Sequence, residues 1–311
     1  MKKKLDTIHI HGMNFVIIFG LIMLYLISNK SLYTNKILAL TKNISNNNDH
    51  YEMLNSKIQN ISEKNKINVR VNEALLEKEL IGMSAVIYDA TEGKVVWSYN
   101  SVKTSSLASL TKVMTAYIYK ENCDKEIIYN NLSFKSDDAL RFMLIQSSNE
   151  MADALSTNCM TKSEFIKLMN EKAVSLGLNL HYVNPSGMDY PGIIGGRGDA
   201  MSMSQLLFIV SNKYPNVFDY TTENESELAV KRGGKLAYVE AINTNQDISN
   251  LTGARASKTG LTDYAGGNLG IVYDPFVGRT LSIVVLGSTK EGRFDDIKLI
   301  LNNIYTQDTN I

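Results

Sequence analysis

Residues 106–119, Ser-Leu-Ala-Ser-Leu-Thr-Lys-Val-Met-Thr-Ala-Tyr-Ile-Tyr, carry the pattern from which the fold prediction starts. Their apolar side chains recur every three or four positions without Gly or Pro, which predicts a helix packed in a core and beginning near Ser109. Positions i and i+3 share a helix face, so the Lys112 amine is expected to reach the Ser109 hydroxyl. Burial would lower the pKa of that amine, leaving a neutral base beside a hydroxyl at a helix N-terminus. The segment therefore predicts a serine nucleophile that works without histidine.

The composition indicates a folded protein and argues against nucleic-acid binding and a zinc site. The chain has 311 residues, of which 44% are hydrophobic and 21% charged, enough for one large domain or two small ones. Its 32 basic and 32 acidic residues cancel, so no nucleic-acid partner is predicted. Two cysteines, Cys123 and Cys159, and four histidines lack the spacing of a metal site, which predicts no zinc. The cysteines are expected to form either one disulfide outside the cytoplasm or two buried thiols.

The N-terminal region has the pattern of an export signal. Three lysines at positions 2–4 precede an apolar run from Met13 to Ser28, and no small-residue cleavage site follows closely. We expect residues 1–28 to form an uncleaved signal anchor, a single-pass membrane helix that carries the following chain across the membrane. A cleaved signal and a secreted protein are the alternative. Residues 29–71, rich in Asn, Lys and Ser, are predicted to form a linker or stalk.

Residues 72–311 are predicted to form one α+β catalytic domain. The predicted strands are Ser84 to Asp89, Val95 to Tyr99, Ala254 to Lys258, Gly267 to Tyr273 and Leu281 to Leu286. The predicted helices, besides the one at Ser109, are Glu73 to Leu80, Asp137 to Gln146, Glu150 to Leu155, Lys162 to Leu176, Ser202 to Ser211 and Arg293 to Tyr305. Because strands come first and last with helices between them, we expect one antiparallel sheet covered by helices beside an all-helical lobe. The cleft between them is the default site.

Two further short motifs bear on Ser109. Ser147-Ser148-Asn149 lies in a loop between two helical patterns, where polar side chains can point into a cleft, although a capped turn is the simpler interpretation. Lys258-Thr259-Gly260 ends a predicted strand, whose edge can pair with an extended peptide while the lysine and hydroxyl receive a carboxylate. Gly260 lets a backbone approach closely. The three motifs, in this order on helix, loop and strand, describe one known active-site plan.

With these motifs the chain resembles the penicillin-recognising serine hydrolases, and specifically the low-molecular-mass penicillin-binding proteins that are D-alanyl-D-alanine carboxypeptidases. Further segments that look like family signatures are Ser84 to Ala90, Gly93 to Val95, Ala108 to Lys112, Asn184 to Asp189, Lys258 to Asp263 and Val284 to Gly287. Two positions depart from the pattern, since Ser148 stands where Gly is usual and Leu107 where Pro is common. The resemblance implies a β-lactamase/transpeptidase-like fold with a five-stranded antiparallel sheet.

The resemblance also implies a role for each candidate residue. Ser109 would be the acylated nucleophile, Lys112 its base and Ser147 a proton relay. Asn149 would donate a hydrogen bond to the peptide backbone of the substrate.

The remaining candidate residues would bind the substrate. Lys258 and Thr259 would hold its terminal carboxylate beside Gly260. The backbone N–H groups of Ser109 and Leu261 would form the oxyanion hole, where such donors are worth about a hundred- to a thousandfold in rate.

These features predict a serine-type D-Ala-D-Ala carboxypeptidase that removes the terminal D-alanine of peptidoglycan stem peptides through an acyl-serine intermediate. β-Lactams are expected to be covalent inhibitors, and no metal or organic cofactor is implied. A DD-endopeptidase using the same site, a β-lactamase and a catalytically idle cell-wall scaffold are the alternatives. The sequence has no Glu-x-x-Leu-Asn stretch between Asn149 and Lys258, which disfavours a β-lactamase. Every chemical position holds a competent residue, which disfavours the scaffold.

Overall fold

The computed structural model describes residues 68–307. The strands are β1 (Asn68–Val71), β2 (Ser84–Asp89), β3 (Lys94–Tyr99), β4 (Ser105–Ser106), β5 (Ile127–Tyr129), β6 (Leu132–Phe134), β7 (Leu180–Tyr182), β8 (Gly196–Gly198), β9 (Glu225–Arg232), β10 (Lys235–Ile242), β11 (Ala254–Thr262), β12 (Gly266–Phe276), β13 (Arg279–Ser288) and β14 (Ile304–Gln307). The α-helices are α1 (Glu73–Glu79), α2 (Lys112–Asn122), α3 (Ser136–Ile145), α4 (Asn149–Thr157), α5 (Lys162–Ser175), α6 (Ala200–Lys213), α7 (Pro215–Phe218) and α8 (Gly292–Asn302). Short 3-10 turns cover Ala108–Thr111, Asp219–Thr222 and Ile248–Asn250.

The predicted signal anchor and most of the predicted stalk lie outside the described residues. In the part of the chain that the structure describes, no helix combines the length and apolarity needed to cross a bilayer. Contacts group Asn68–Pro275 with Thr280–Gln307 into one compact unit, which contains every element discussed below apart from the last residue of β12 and the first of β13. Of the described residues, the second unit takes in only Phe276–Arg279.

A five-stranded antiparallel sheet, in the order β11-β12-β13-β2-β3, joins the early and late strands as predicted. β2 and β13 are buried along almost their whole length, as expected of strands covered on both faces. On one face, Ser282 of β13 donates to the Ser204 carbonyl of α6 at 2.8 Å. Asp296 fastens α8 to the sheet by accepting from the Ser288 hydroxyl at 2.6 Å and from the Gly82 N–H at 2.9 Å.

The lobe beside this sheet is not all-helical, so that part of the prediction is wrong. α2 lies in its core with α3, α4 and α5 around it, but a four-stranded antiparallel sheet, β10-β9-β6-β5, packs against α3. β9 and β10 form a long hairpin joined by Gly233 and Gly234, whose φ angles are +56° and +79°. Two positive φ angles are what a tight two-residue hairpin turn requires. The Gly-Gly pair was therefore the available sequence signal for this hairpin.

Most element boundaries differ from the prediction by a few residues, and two of these differences affect the site or the predicted stalk. The strand predicted to end at Lys258 continues to Thr262, so Lys258-Thr259-Gly260 lies within β11 and not at its end. The closing helix ends at Asn302, and the following Ile304–Gln307 pairs with Asn68–Val71. The last four residues of the predicted stalk thus belong to a strand.

Cys123 and Cys159 form a disulfide, with their Cα atoms 6.0 Å apart, which settles the alternative that the sequence left open. The bond closes a loop with a sequence separation of 36 residues. Loop-closure entropy for this length predicts a loss of about 3–4 kcal/mol in the free energy of unfolding on reduction. In a domain of this size that corresponds to a fall in Tm of about 10 °C.

Urea and thermal unfolding with and without dithiothreitol measure this loss. The double variant Cys123→Ala/Cys159→Ala should match the reduced protein and show no response to reductant. Equal stability of the oxidised and reduced wild-type protein would contradict the prediction.

Candidate active site

Ser109 lies in the 3-10 turn Ala108–Thr111, which leads directly into α2. The preceding residue, Ala108, has a φ of +47°, which is uncommon outside glycine. Gly187 packs against this turn so closely that a Cβ there would overlap the Ala108 carbonyl oxygen. The Leu107 N–H donates to the Gly196 carbonyl at 2.8 Å. These contacts hold a strained backbone in place and present the half-buried Ser109 hydroxyl.

Lys112 begins α2 and is fully buried. Its Nζ lies 2.9 Å from Ser109 Oγ, 2.7 Å from Asn149 Oδ1 and 2.8 Å from the Ser186 carbonyl oxygen. Burial lowers the pKa of Lys112 to about 7, against the opposing effect of the Asp153 carboxylate. A neutral amine has two N–H donors and one lone pair. Asn149 and Ser186 can accept the two N–H groups, which leaves the lone pair for the Ser109 hydroxyl.

Lys258 is the second buried amine of the site and is 1% exposed. Its Nζ donates to Ser147 Oγ at 2.9 Å and to the Thr259 carbonyl at 3.0 Å. Burial lowers the pKa of Lys258, and the positive charges of Lys112 and Arg293 lower it further. A carboxylate bound beside this amine would favour its charged form.

The Ser147-Ser148-Asn149 segment connects the two lysines. Ser147 contacts Lys258, whereas Asn149 contacts Lys112. Ser148 between them is the N-cap of α4, so the capped-turn interpretation is also correct. Because Ser147 reaches Lys258 and Asn149 reaches Lys112, the structure brings all three motifs together.

β11 passes beside the Ser109 turn. A Cβ at Gly260 would lie only 2.9 Å from the Leu107 carbonyl oxygen, so glycine permits the close approach expected from the sequence. β11 is an edge strand, and its Ser257 N–H donates to a side chain outside the sheet. Backbone groups alternate along an antiparallel strand, so the Leu261 N–H points to the same side as that of Ser257. This direction suits an oxyanion hole next to Ser109.

Sequence reasoning missed four groups that support these residues. The Ser186 carbonyl accepts from Lys112, and Thr244 Oγ1 lies 2.5 Å from Thr259 Oγ1. Arg293 donates to the Gly260 carbonyl at 2.7 Å.

The fourth missed residue is Asp189. It accepts from Ser106 Oγ at 3.0 Å, from the Gly195 N–H at 2.8 Å and from the Thr262 hydroxyl. The segment ending at Asp189 was recognised as a family signature, but its role as a link between loop and strand left no trace in the sequence. Within residues 68–307, no cluster of three or more His, Cys, Asp or Glu side chains could hold a metal ion.

The chain is similar in sequence to known D-alanyl-D-alanine peptidases. The D-alanyl-D-alanine endopeptidase of Pseudomonas aeruginosa is 30% identical over 213 residues, which are 61% of this chain and 66% of that protein. The D-alanyl-D-alanine carboxypeptidase DacF of Bacillus subtilis is 27% identical over 248 residues, which are 72% of this chain and 62% of that protein. The chain thus covers slightly less than two thirds of either relative.

Solved structures share the fold. Penicillin-binding protein D2 of Listeria monocytogenes in its cefotaxime-bound form has a TM-score of 0.63 and 22% identity, covering 72% of this chain and 97% of that chain. The D-alanyl-D-alanine carboxypeptidase of Mycobacterium tuberculosis H37Rv has a TM-score of 0.63 and 21% identity, covering 72% and 90%. These likenesses establish the penicillin-binding-protein type of α+β fold.

The family profile described as D-alanyl-D-alanine carboxypeptidase matches residues 126–289, more than half of the chain. The matched region includes Ser147, Asn149 and β11 but begins after Ser109 and Lys112, which the structure places beside them. The resemblance recognised from the sequence is therefore confirmed, and the chain belongs to the D-alanyl-D-alanine carboxypeptidase family of peptidases.

Proposed function

We propose that this protein is a serine carboxypeptidase that removes the terminal D-alanine from peptidoglycan stem peptides. The observation that carries the proposal is the 2.9 Å contact between Ser109 Oγ and Lys112 Nζ. The amine has a pKa lowered to about 7, and two carbonyl-type oxygens occupy its other contacts. A buried amine arranged in this way can act as a general base at neutral pH.

In the proposed acylation step, Ser109 Oγ attacks the carbonyl carbon of the D-Ala-D-Ala bond, and its proton passes to Lys112 Nζ. The carbonyl oxygen becomes negative and accepts hydrogen bonds from the N–H groups of Ser109 and Leu261. The C–N bond then breaks. The departing D-alanine amine takes up the proton that Lys112 received, with the Ser147 hydroxyl as relay.

In the proposed deacylation step, water attacks the ester carbonyl of acyl-Ser109. Lys112 takes a proton from this water and returns it to Ser109 Oγ as the ester C–O bond breaks. The shortened peptide leaves with a new terminal carboxylate, and the free enzyme is regenerated.

Binding of the substrate is assigned to Asn149 and β11. Asn149 Oδ1 accepts from Lys112, so its Nδ2 group is the donor left for a substrate carbonyl. The terminal carboxylate is held by the buried Lys258 amine and the Thr259 hydroxyl.

A fluorescent penicillin tests the proposal, because the folded protein should form a covalent adduct that peptide mapping assigns to Ser109. The matched control Ser148→Ala removes the hydroxyl between the two lysine-contacting residues and should keep the adduct. Absence of an adduct on the folded wild-type protein would contradict the proposal and favour the idle scaffold. Rapid release of hydrolysed penicillin would instead indicate a β-lactamase.

A DD-endopeptidase is the second candidate, and it is favoured by the likeness to the D-alanyl-D-alanine endopeptidase of Pseudomonas aeruginosa. The same acyl-serine chemistry would then cut cross-links between stem peptides. Incubation with isolated muropeptides separates the two activities by their products. A carboxypeptidase converts pentapeptides to tetrapeptides, whereas an endopeptidase converts cross-linked dimers to monomers.

We also propose that the catalytic domain lies outside the cytoplasm and is attached to the cell membrane through residues 1–28. The Cys123–Cys159 disulfide supports an extracytoplasmic location, because such bonds persist in oxidising compartments. The lysines at positions 2–4 followed by an apolar run support the attachment. Protease treatment of intact spheroplasts should degrade the domain. Protection until lysis would contradict this location.

A further inference from the structure

An exposed apolar surface adjoins the C-terminal end of β11. Tyr264 is 57% exposed, Tyr190 53% and Ile193 50%. We call these three side chains the apolar shelf. Clustered large apolar side chains at a protein surface commonly mark a binding site, whereas scattered ones need no explanation.

Hydrogen bonds connect the parts of the chain that carry the shelf. Tyr190 and Ile193 exchange two backbone hydrogen bonds of 2.9 and 2.8 Å across a tight turn. At the tip of that turn, the Gly192 N–H donates to the Tyr264 hydroxyl at 3.4 Å. The aromatic ring of Tyr264 is thereby joined to the turn that carries the other two side chains.

Asp189 fastens the same turn to the active-site strand. It immediately precedes Tyr190 and accepts a hydrogen bond from the Thr262 hydroxyl at the end of β11. The shelf is therefore continuous with the strand that carries Lys258 and Leu261.

The direction of the substrate along β11 follows from the assigned contacts. The terminal carboxylate lies at Lys258 and Thr259, whereas the scissile carbonyl lies at the Leu261 N–H, farther along the strand. A peptide that adds to this edge in this order runs antiparallel to β11. Its residues before the D-Ala-D-Ala pair then extend past Thr262 at about 3.3 Å per residue, toward Tyr264.

We propose that the apolar shelf is the subsite for the apolar part of the residue that precedes D-Ala-D-Ala. This inference rests on the proposed function and names the substrate class, namely acyl donors with a long aliphatic or aromatic group at that position. Contact with the shelf removes apolar surface of both partners from water. The shelf lies on the acyl side, so it selects the peptide that is cut and not the leaving group.

Two β-lactams that differ only on the acyl side provide the test. Benzylpenicillin carries an apolar phenylacetyl group there, and 6-aminopenicillanic acid carries none. The second-order rate constant of acylation is measured for each compound with the wild-type protein, Tyr264→Ala and Tyr264→Phe. For each protein, the rate constant for benzylpenicillin is divided by that for 6-aminopenicillanic acid, and this ratio is compared between proteins. The control Tyr238→Ala removes an equally exposed tyrosine, 60% exposed, from β10.

We expect Tyr264→Ala to lower the ratio about tenfold, as the loss of partial burial of one aromatic group predicts. Acylation by 6-aminopenicillanic acid should be unchanged, and Tyr238→Ala should keep the wild-type ratio. Tyr264→Phe keeps the aromatic ring and loses only the hydrogen bond to Gly192, so its ratio should fall less than that of Tyr264→Ala. Acetyl-Gly-D-Ala-D-Ala and diacetyl-Lys-D-Ala-D-Ala should show the same difference in kcat/KM.

An unchanged ratio in Tyr264→Ala would overturn the shelf inference and leave the proposed function standing. The same result is expected if the shelf binds a bilayer or a partner protein instead of the substrate. A wild-type protein that reacts with neither β-lactam would overturn the proposed function itself. A fall in reactivity toward both compounds alike would show that Tyr264 only supports the fold, and would likewise exclude the subsite.

Discussion

Replacing Lys112 by methionine is expected to slow the acylation of Ser109 by a fluorescent penicillin about a thousandfold, within the range that general bases contribute. Methionine keeps much of the apolar volume in this buried position but cannot accept the hydroxyl proton. The Asn149 and Ser186 oxygens also lose their shared donor. Stopped-flow labelling measures the rate, and the Ser109→Ala variant serves as the control that should show no labelling.

Circular dichroism should show that the Lys112→Met protein is folded at the temperature of the assay. A folded variant that retains a tenth or more of the wild-type rate would mean that another group takes the Ser109 proton. That result would remove the base from the proposed mechanism without removing the nucleophile.

The same amine should set the pH dependence of acylation. Its pKa is lowered to about 7 by burial, so the neutral, proton-accepting form predominates above pH 7 and the ammonium form below it. The acylation rate should therefore fall about tenfold for each pH unit below 7 and level off above it. A rate that stays constant down to pH 5 would contradict this assignment.

The second large effect is expected for Gly187→Ala. Both Gly187 and Gly177 have positive φ angles, +75° and +68°, but only at Gly187 would a Cβ overlap the Ala108 carbonyl oxygen. Gly177→Ala should cost about 1–2 kcal/mol in the free energy of unfolding, from the backbone conformation alone. Gly187→Ala should cost several kcal/mol more, or displace the Ser109 turn, because packed backbone has no room to yield.

Urea unfolding and penicillin labelling of both variants measure these effects. Gly177→Ala should label at the wild-type rate, whereas Gly187→Ala should lose labelling even where it remains folded. Equal stability and equal labelling of the two variants would show that the Ser109 turn does not depend on this contact.

The predictable parts of the molecule are those that depend on local chemistry. β2 and β3 follow from apolar runs around a turn, and the Ser109–Lys112 contact follows from three-residue spacing. The hairpin of β9 and β10 was missed because charged residues break its apolar pattern, although Gly233-Gly234 marked its turn.

The rest of the site depends on contacts between distant parts of the chain. Asp189 binds Thr262 across 73 positions, and Arg293 reaches the Gly260 carbonyl across 33. No short motif contains both members of either pair. Sequence spacing could not reveal these contacts, because they arise only when the loop, the edge strand and α8 have packed together.

The two helices that carry the amine and its amide partner are joined at both ends. Lys112 begins α2 and Asn149 begins α4, and the two side chains are bonded, while Cys123 directly follows α2 and Cys159 lies just beyond α4. In a reducing environment, a newly made chain would have only the hydrogen bond between Lys112 and Asn149 to connect the two helices. Oxidation adds the Cys123–Cys159 disulfide at their other ends. The two helices would therefore reach their full rigidity only late in the maturation of the protein.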